Sequence, residues 1–553
     1  MRRYFHEPFD PAAHEPALRA AVAELAPLDE ITPQALTRAV HRHPKGPGWC
    51  FSKSDLIAGV RMFGADWGID VDAFVRKLRL KPVRTQSGVA PVTVATAPHP
   101  CPGCCAFCPD DRKVPKSYLS NEPSVQRAVE HAFDPYGQIR ARLGQLHLNG
   151  HPVDKVELNV VGGTWSAYPE PYRVWFATRS FEALNDFSSA KARDIALDGM
   201  EREPVWGEAT WPDLEAAQRA NEQAAARAVG LAVELRPDSV TEQELLSLRR
   251  LGVTRVQIGA QSLADHVLEL NRRGHDVATT RKAFRLLRRG GFKILAHIMP
   301  NLYGSSPDED VAGVEQLFTD PDLRPDELKL YPCSLIDGTE LMDHYRAGRW
   351  RPYELDELTD VLRRCLLAVP RYCRVNRMMR DIPASYIVDG VTQSNLREVV
   401  EAALEQGGEP SRDIRSREIR GQPVDPESLE LVEAAYRTGI GEERFVEFVT
   451  PEDRLVGFLR LSLPEGEPVV DELRGSAMIR EVHVYGHAVR IGGRRPDALQ
   501  HLGLGRRLVE RACAIAAASG AADLAVISAV GTRDYYRRLG FRDGSLYQHR
   551  RLP

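Results

Sequence analysis

Six short β-branched runs, each followed by an amphipathic stretch, constrain this chain more than any other feature. The runs are APVTVAT (90–96), DKVELNVVGG (154–163), GLAVELRPD (230–238), VTRVQIGAQS (253–262), FKILAHIMP (292–300) and DELKLYP (326–332). Between several of them lie stretches such as TEQELLSLRRLG and TTRKAFRLLRRGG, with apolar residues at helical spacing. Strands separated by helices pair in parallel, and the helices cover the sheet. The pattern predicts a partial barrel or an open α/β sheet, with chemistry gathered at the C-terminal ends of the strands. A polar, Ala-rich stretch from about 180 to 225 reads as a helical excursion from this pattern.

The rest of the chain follows other patterns. Residues 1–75 read as helical, as in PAAHEPALRAAVAELAPL and KSDLIAGVRMFGADWG. An Arg-dense junction begins at 376, with NRMMRDIPASYIVDG and SRDIRSREIRGQP. Beyond it, ERFVEFVT, DRLVGFLRLSL and AMIREVHVYG read as antiparallel strands, HLGLGRRLVERACAIAAASG as a helix, LAVISAVG as a strand, and TRDYYRRLGF as a short helix and turn. The expected division is 1–75, 76–375, a junction over 376–401, and a second α/β domain over 402–553. A chain of 553 residues is too long for one core. With a formal net charge of -4, a nucleic-acid surface must be a local patch. One candidate is Arg76, Lys77, Arg79, Lys81 and Arg84, which serve equally well as a solvated face. No apolar run approaches the ~20 residues of a membrane-spanning helix. The N-terminus lacks the apolar core of a signal peptide, so a cytoplasmic protein without membrane contact is expected.

Four of the nine cysteines fall in HPCPGCCAFCPDD, on the loop after the first expected strand. In a long cytosolic chain such a group argues for metal rather than disulfides. Cys101, Cys105 and Cys108 have the spacing C-x3-C-x2-C. Three thiolates can hold three irons of a [4Fe-4S] cubane and leave the fourth open to chelate S-adenosylmethionine, a vacancy that a four-cysteine site lacks. Structural zinc is the alternative, with His99 or Cys104 as the further ligand. Cys104 also competes with Cys105 for the middle position.

Residues at the ends of the expected strands are candidate cofactor contacts. Gly162, Gly163 and Thr164 end the second run, and glycines there let backbone approach a bound amino acid. Glu234 and Arg236 end the third run, Gln257 and Gln261 flank the fourth, and Lys329 and Tyr331 close the sixth. A structural ion pair is the competing reading for Glu234 and Arg236. In the second domain Gln500-His501-Leu502-Gly503-Leu504-Gly505 fits [RQ]-x-x-G-x-[GA] at a helix start, where backbone N–H groups and the helix dipole favour a pyrophosphate. The motif resembles the acetyl-CoA signature of the GNAT acetyltransferase fold. One of Tyr535 and Tyr536 is expected at the cofactor and the other in the core.

Together KPVRTQSGVAPV, DKVELNVVGGT, ELRPD, QIGAQS, NRRGH, FKILAHIMP, LKLYP, MRDIP, DIRSREI, EVHVYG, HLGLG and GTRDYYRRLGF span most of the chain. In these motifs it closely resembles the Elongator catalytic subunit family, bacterial-type stand-alone members included. The resemblance implies an α/β chain in which a helical N-terminal region precedes a radical-SAM partial (β/α) barrel and a GNAT-type domain. It implies a tRNA wobble-uridine carboxymethyl transferase using a [4Fe-4S] cluster, S-adenosylmethionine and acetyl-CoA. In that reaction a 5′-deoxyadenosyl radical takes hydrogen from the acetyl methyl, the carbon radical adds to carbon 5 of the uridine, and thioester hydrolysis leaves a carboxymethyl group. Carried over by position, Lys155, Glu481, Val482, His483, Val484, Leu504, Gly505, Arg506 and Tyr536 contact acetyl-CoA, and Lys155 and Tyr536 carry the chemistry. The tRNA surface maps to 76–84 and to Arg377, Arg380, Arg412, Arg415 and Arg417. An external electron donor and a homodimer are further expectations. Two departures stand beside the cluster: Pro109-Asp110-Asp111 replaces the family's Pro-Gly-Gly, and Cys104 is extra. The junction has no Cys-rich motif, so no zinc is expected. The rival function is a protein lysine acetyltransferase whose radical-SAM-like domain is only structural.

Overall fold

The computed structural model describes residues 9–85, 87–188, 204–380, 382–393, 395–420, 422, 424–486 and 503–553. Helices Glu15–Leu25, Pro33–Arg42, Lys53–Phe63 and Val71–Leu78 form the N-terminal region. Three of them begin on a side-chain cap: Thr32, Ser52 (a capping box with Asp55) and Asp70. Leu18, Val22, Leu56, Ile57 and Phe74 face one another in a separate small core.

The first sheet has seven strands: β1 (Ala90–Ala95), β2 (Lys155–Val161), β3 (Arg227–Leu235), β4 (Arg255–Gln261), β5 (Lys293–Ile298), β6 (Glu327–Leu330) and β7 (Arg374–Arg377). They lie in sequential order and every pairing is parallel. β7 does not pair back to β1, so the sheet is a partial barrel. Alternation on β2 shows how the lumen is made. Val156, Leu158 and Val160 are buried in the core, while Lys155, Glu157, Asn159 and Val161 line a cavity on the other face. The six expected runs all contain strands. β7 was not expected; its sequence, RVNR, is short and polar, and its strand crosses the expected boundary at 375/376. Helices Glu170–Asn185 and Trp211–Asn221 account for the described part of the excursion.

The second sheet comprises β8 (Glu430–Thr438), β9 (Gly441–Val449), β10 (Leu455–Pro464), β11 (Ser476–Val484), β12 (Asp523–Val526), β13 (Arg542–Asp543) and β14 (Gln548–Arg551), in the order β8-β9-β10-β11-β12-β14-β13. All pairings are antiparallel except β11 with β12. The helix Leu504–Ala518 packs on β10 and β11. The helix Leu396–Gln406 crosses the expected 401/402 boundary and packs on Leu355–Ala368.

The two sheets share one continuous apolar core. Gly531 shows how closely they meet: a Cβ there would lie 2.6 Å from the Arg227 side chain and 2.9 Å from the Ala228 carbonyl oxygen. Among the described residues no helix is long and apolar enough to cross a membrane.

Candidate active site

The loop after β1 carries the cysteines. Cys105 Sγ accepts a hydrogen bond from Arg273 Nη1 at 3.0 Å. Cys101 Sγ lies 4.0 Å from Thr164 Oγ1. Burial pushes the Cys108 thiol up to about 11; Cys105 and Cys101 raise it further, while Lys116 and Arg380 oppose. These three thiols therefore sense one another. Cys104 is exposed, and its Sγ lies 3.7 Å from Arg272, which pairs with Glu340. The chain turns Cys105 inward and Cys104 outward.

Arg236 stands behind the loop, bonded to Asp238 through Nε and Nη2 (both 2.9 Å) and to the Arg273 carbonyl at 2.6 Å. Its Nη1 is buried without a hydrogen-bond partner among the described residues. A Cβ on Gly103 would collide with that nitrogen at 2.0 Å. Arg380 donates to Ser117 Oγ at 3.2 Å, to the Ser117 carbonyl and to Glu122 at 3.1 Å, clamping the downstream end of the loop.

No three His, Cys, Asp or Glu residues among those described converge on a single metal ion. A cubane asks for something else, because each thiolate binds a different iron and the sulfurs stand further apart. His99 is engaged elsewhere, with Nε2 at 3.0 Å from the Ala167 carbonyl and its ring stacked on Tyr168. Three part-buried thiols with three arginines nearby suit an anionic thiolate cluster with one open iron.

The strand ends converge beside this loop. Gly162 and Gly163 have φ of 135° and 91°, and a Cβ on Gly162 would lie 1.8 Å from Thr96 Oγ1. Only glycine fits there. Glu234 accepts a hydrogen bond from Tyr118 at 3.0 Å. Burial raises its carboxyl, with Lys329 opposing. Lys329 Nζ donates to Gln257 Oε1 at 2.6 Å, and the Tyr331 ring lies 5.6 Å from the same ammonium. Gln261 sits at φ 71° at the end of β4.

At the opposite ends of the strands lies a charged floor that sequence reading missed. Arg255 pairs with Glu157 at 2.8 Å and Glu327 at 3.2 Å, and Lys293 pairs with Glu327 at 3.3 Å and Glu481 at 2.6 Å. Lys155 lines the cavity here, and burial lowers its amine. Glu481 belongs to the second domain and is held also by Arg460 at 2.8 Å. The available signal was a charge at or beside the start of several apolar strands: Lys155, Arg227, Arg255, Lys293 and Glu327.

In the second domain β11 pairs with β12 only as far as Ile479. The β10–β11 register then slips between Arg460 and Leu461, which leaves Arg480 as the extra residue of a bulge. Past the bulge, Glu481, Val482, His483 and Val484 line the cavity. Gly503, at φ 70°, precedes the helix that starts at Leu504, and a Cβ on Gly505 would lie 2.7 Å from the Tyr535 hydroxyl. Tyr535 and Tyr536 meet edge to face at 5.2 Å and both line the cavity, Tyr536 buried in the core and Tyr535 partly buried against it. Arg506 is exposed and pairs with Glu510 at 3.1 Å. Gln500 lies outside the described residues.

One cavity of about 1440 Å³ joins these parts. It runs from Glu234, Gln257, Lys329 and Tyr331 past the charged floor to Gly503, Gly505 and the two tyrosines. Arg236 and the cysteines are not on its wall.

The expected tRNA residues divide. Arg377 and Arg412 are exposed, and Arg377 and Arg415 line the cavity. Arg417 is buried and paired with Glu447 at 2.7 Å and Asp453 at 3.0 Å, so it braces the junction instead of facing a phosphate. Arg380 is the loop clamp. Lys77 donates to the carbonyls of Ala26 and Leu28, and Arg79 to that of Gly150, which ties the N-terminal region down; Lys81 and Arg84 stay exposed.

A cysteine-trio loop after the first strand of a sequential parallel half-barrel defines a radical-SAM enzyme. Residues 205–315 match the model of the Radical SAM superfamily, and 325–406 that of the Radical_SAM C-terminal domain. The chain is 39% identical over 491 residues to the tRNA uridine(34) acetyltransferase of Methanocaldococcus infernus, covering 86% of this chain and 88% of the relative. It is 38% identical over 487 residues to Elongator complex protein 3 of Danio rerio, covering 85% of each. The solved archaeal Methanocaldococcus infernus Elp3 with residues 1-46 deleted superposes with a TM-score of 0.70 at 36% identity, covering 84% of this chain and 99% of that one. The chain belongs to the Elongator complex protein 3 family.

Proposed function

We propose that this chain builds a carboxymethyl group on carbon 5 of the wobble uridine of tRNA, taking the two carbons from acetyl-CoA. The supporting observation is the shared cavity, lined both by the lumen of the first sheet and by the cleft of the second. Two reactants held by two domains need such a space.

Cys101, Cys105 and Cys108 would hold the cluster. When bound with S-adenosylmethionine, that group supplies a one-electron cleavage and a radical able to take a hydrogen atom from carbon. Gly162 and Gly163 leave the backbone open for the amino-acid part of that ligand, and Thr164 and Glu234 offer it polar contacts. In the second domain the helix start at Gly503–Arg506 offers N–H groups to a pyrophosphate. The backbone of Glu481–Val484, released from β12, offers pairing to a pantetheine arm. Lys155 and Tyr536 both line this cavity and would position the thioester. Lys81, Arg84, Arg377, Arg412 and Arg415 would receive phosphates, and an unpaired anticodon base can be splayed into the cavity.

The test uses anaerobically reconstituted protein with tRNA, S-adenosylmethionine and isotope-labelled acetyl-CoA. Labelled carboxymethyluridine by mass spectrometry is the expected product. Its absence at full cluster occupancy, with acetylation of lysine peptides, would replace this reading by the lysine acetyltransferase.

A further inference from the structure

His483 sits on β11 past the bulge, where the strand has left β12 and faces the cavity. Its ring is fixed on both sides. It stacks on Phe458, with centroids 5.9 Å apart and planes at 19°, and Tyr485 closes on it at 4.4 Å. The Ser87 backbone makes a hydrogen bond to the ring. Nε2 is buried and meets no donor or acceptor among the described residues. A buried polar atom without a partner is disfavoured and calls for an explanation.

The surrounding charges matter to what the ring can do. Burial, then Lys293 and Arg374, hold the imidazole down at about 4, with Glu481 opposing. The ring is therefore neutral at ordinary pH, and its free nitrogen carries a lone pair. Neighbouring groups are less suited to act as a base. Glu481 has both oxygens committed, to Lys293 and to Arg460. The Tyr535 and Tyr536 hydroxyls are pushed up, chiefly by burial, and keep their protons.

We infer that His483 Nε2 is the base that delivers water to the thioester and so frees the carboxymethyl group. This rests on the reading that acetyl-CoA supplies the two carbons. The water oxygen bonds to the thioester carbonyl carbon while its proton passes to Nε2. The carbon–sulfur bond then breaks, and the departing thiolate takes the proton back from the imidazolium. One water is consumed, a free thiol and a carboxylic acid result, the acid releases its proton to solvent to leave the carboxylate, and nothing is oxidised or reduced. A ring that is hard to protonate makes a strong acid once protonated, which suits the return of the proton to sulfur.

The test compares the full, cluster-loaded enzyme with His483→Gln, using tRNA and labelled acetyl-CoA. The variant should accumulate tRNA carrying a CoA-linked uridine, seen intact by mass spectrometry, and release thiol about 100-fold more slowly. Calorimetric binding of acetyl-CoA to the same variant should show that the cleft is intact. Thiol release at the wild-type rate, with no adduct, would overturn the assignment. Should the variant fail to fold, the wild-type enzyme carries the test. Its thiol release should stay level from about pH 8 down to about pH 5.5, whereas loss of half the rate near about pH 6.5 assigns the step to another group. Wild-type protein that puts no label on tRNA would instead overturn the reading on which the inference rests.

Discussion

Arg480 and Asp326 form an ion pair between the two domains with both side chains fully buried. Arg480 is the bulge residue of β11, and Asp326 immediately precedes β6. Nη1 meets Oδ1 at 3.0 Å and Nη2 meets Oδ2, while the same guanidinium reaches Glu443 at 2.9 Å and the Phe292 carbonyl at 2.6 Å. The bulge that opens the second domain's cleft is thus anchored in the first domain.

Removing one partner of such a pair leaves a buried charge uncompensated. Asp326→Asn should cost about 3–5 kcal/mol in equilibrium urea unfolding. The arginines, Arg480 foremost, hold the Asp326 carboxyl down at about 2 against the opposing effect of burial, the largest single influence on it. Its contribution is present above about pH 3.9, the unfolded value, and fades as pH falls through about 2. The wild type should therefore lose more stability than Asp326→Asn over that acid window.

The opposite directions of Cys104 and Cys105 predict different losses. Cys105→Ala should fall to roughly a tenth of wild-type iron and lose the cluster's visible absorption, as expected when one of three thiolates is absent. Cys104→Ala should keep both. Iron assay after anaerobic reconstitution distinguishes them, and equal loss in the two variants would reverse the ligand assignment.

Gly162→Ala should lose S-adenosylmethionine binding. A Cβ at φ 135° lies in a conformation that alanine avoids, and it meets Thr96 Oγ1 at 1.8 Å. The combined strain is about 1–3 kcal/mol. Calorimetry of the reconstituted protein should show an affinity weaker by about 5- to 150-fold, since 1.4 kcal/mol corresponds to a factor of ten.

His549 bridges Asp523 at 2.6 Å and Glu472 at 3.3 Å near the C-terminus. Those two hydrogen bonds, that to Asp523 first, raise the imidazole to about 9. A raised histidine stabilises the fold fully below its unfolded value of about 6.5, and the contribution is lost as pH rises through about 9. Thermal midpoints measured across that range should decline more steeply for wild type than for His549→Gln.

Much of this architecture was legible as residue pattern. β-Branched runs marked six strands of the first sheet because one face of each packs on the covering helices. β7 escaped because RVNR has few apolar residues to show. β8 escaped because ELVEAAYRT is half-exposed along most of its length. Spacing named three of the four clustered cysteines, yet only the turn of the loop separates Cys105 from Cys104. The charged floor was the least legible part. Glu157, Arg255, Lys293, Glu327 and Glu481 come from five strands, and only the register between those strands makes them partners.

Arg380 reaches back 263 residues to Ser117 and 258 to Glu122. During synthesis the cysteine loop leaves the ribosome on the order of tens of seconds before its clamp exists. A completed site accordingly waits for residue 380 to emerge, and a polypeptide stopped short of it carries the cysteine trio on an unfastened loop.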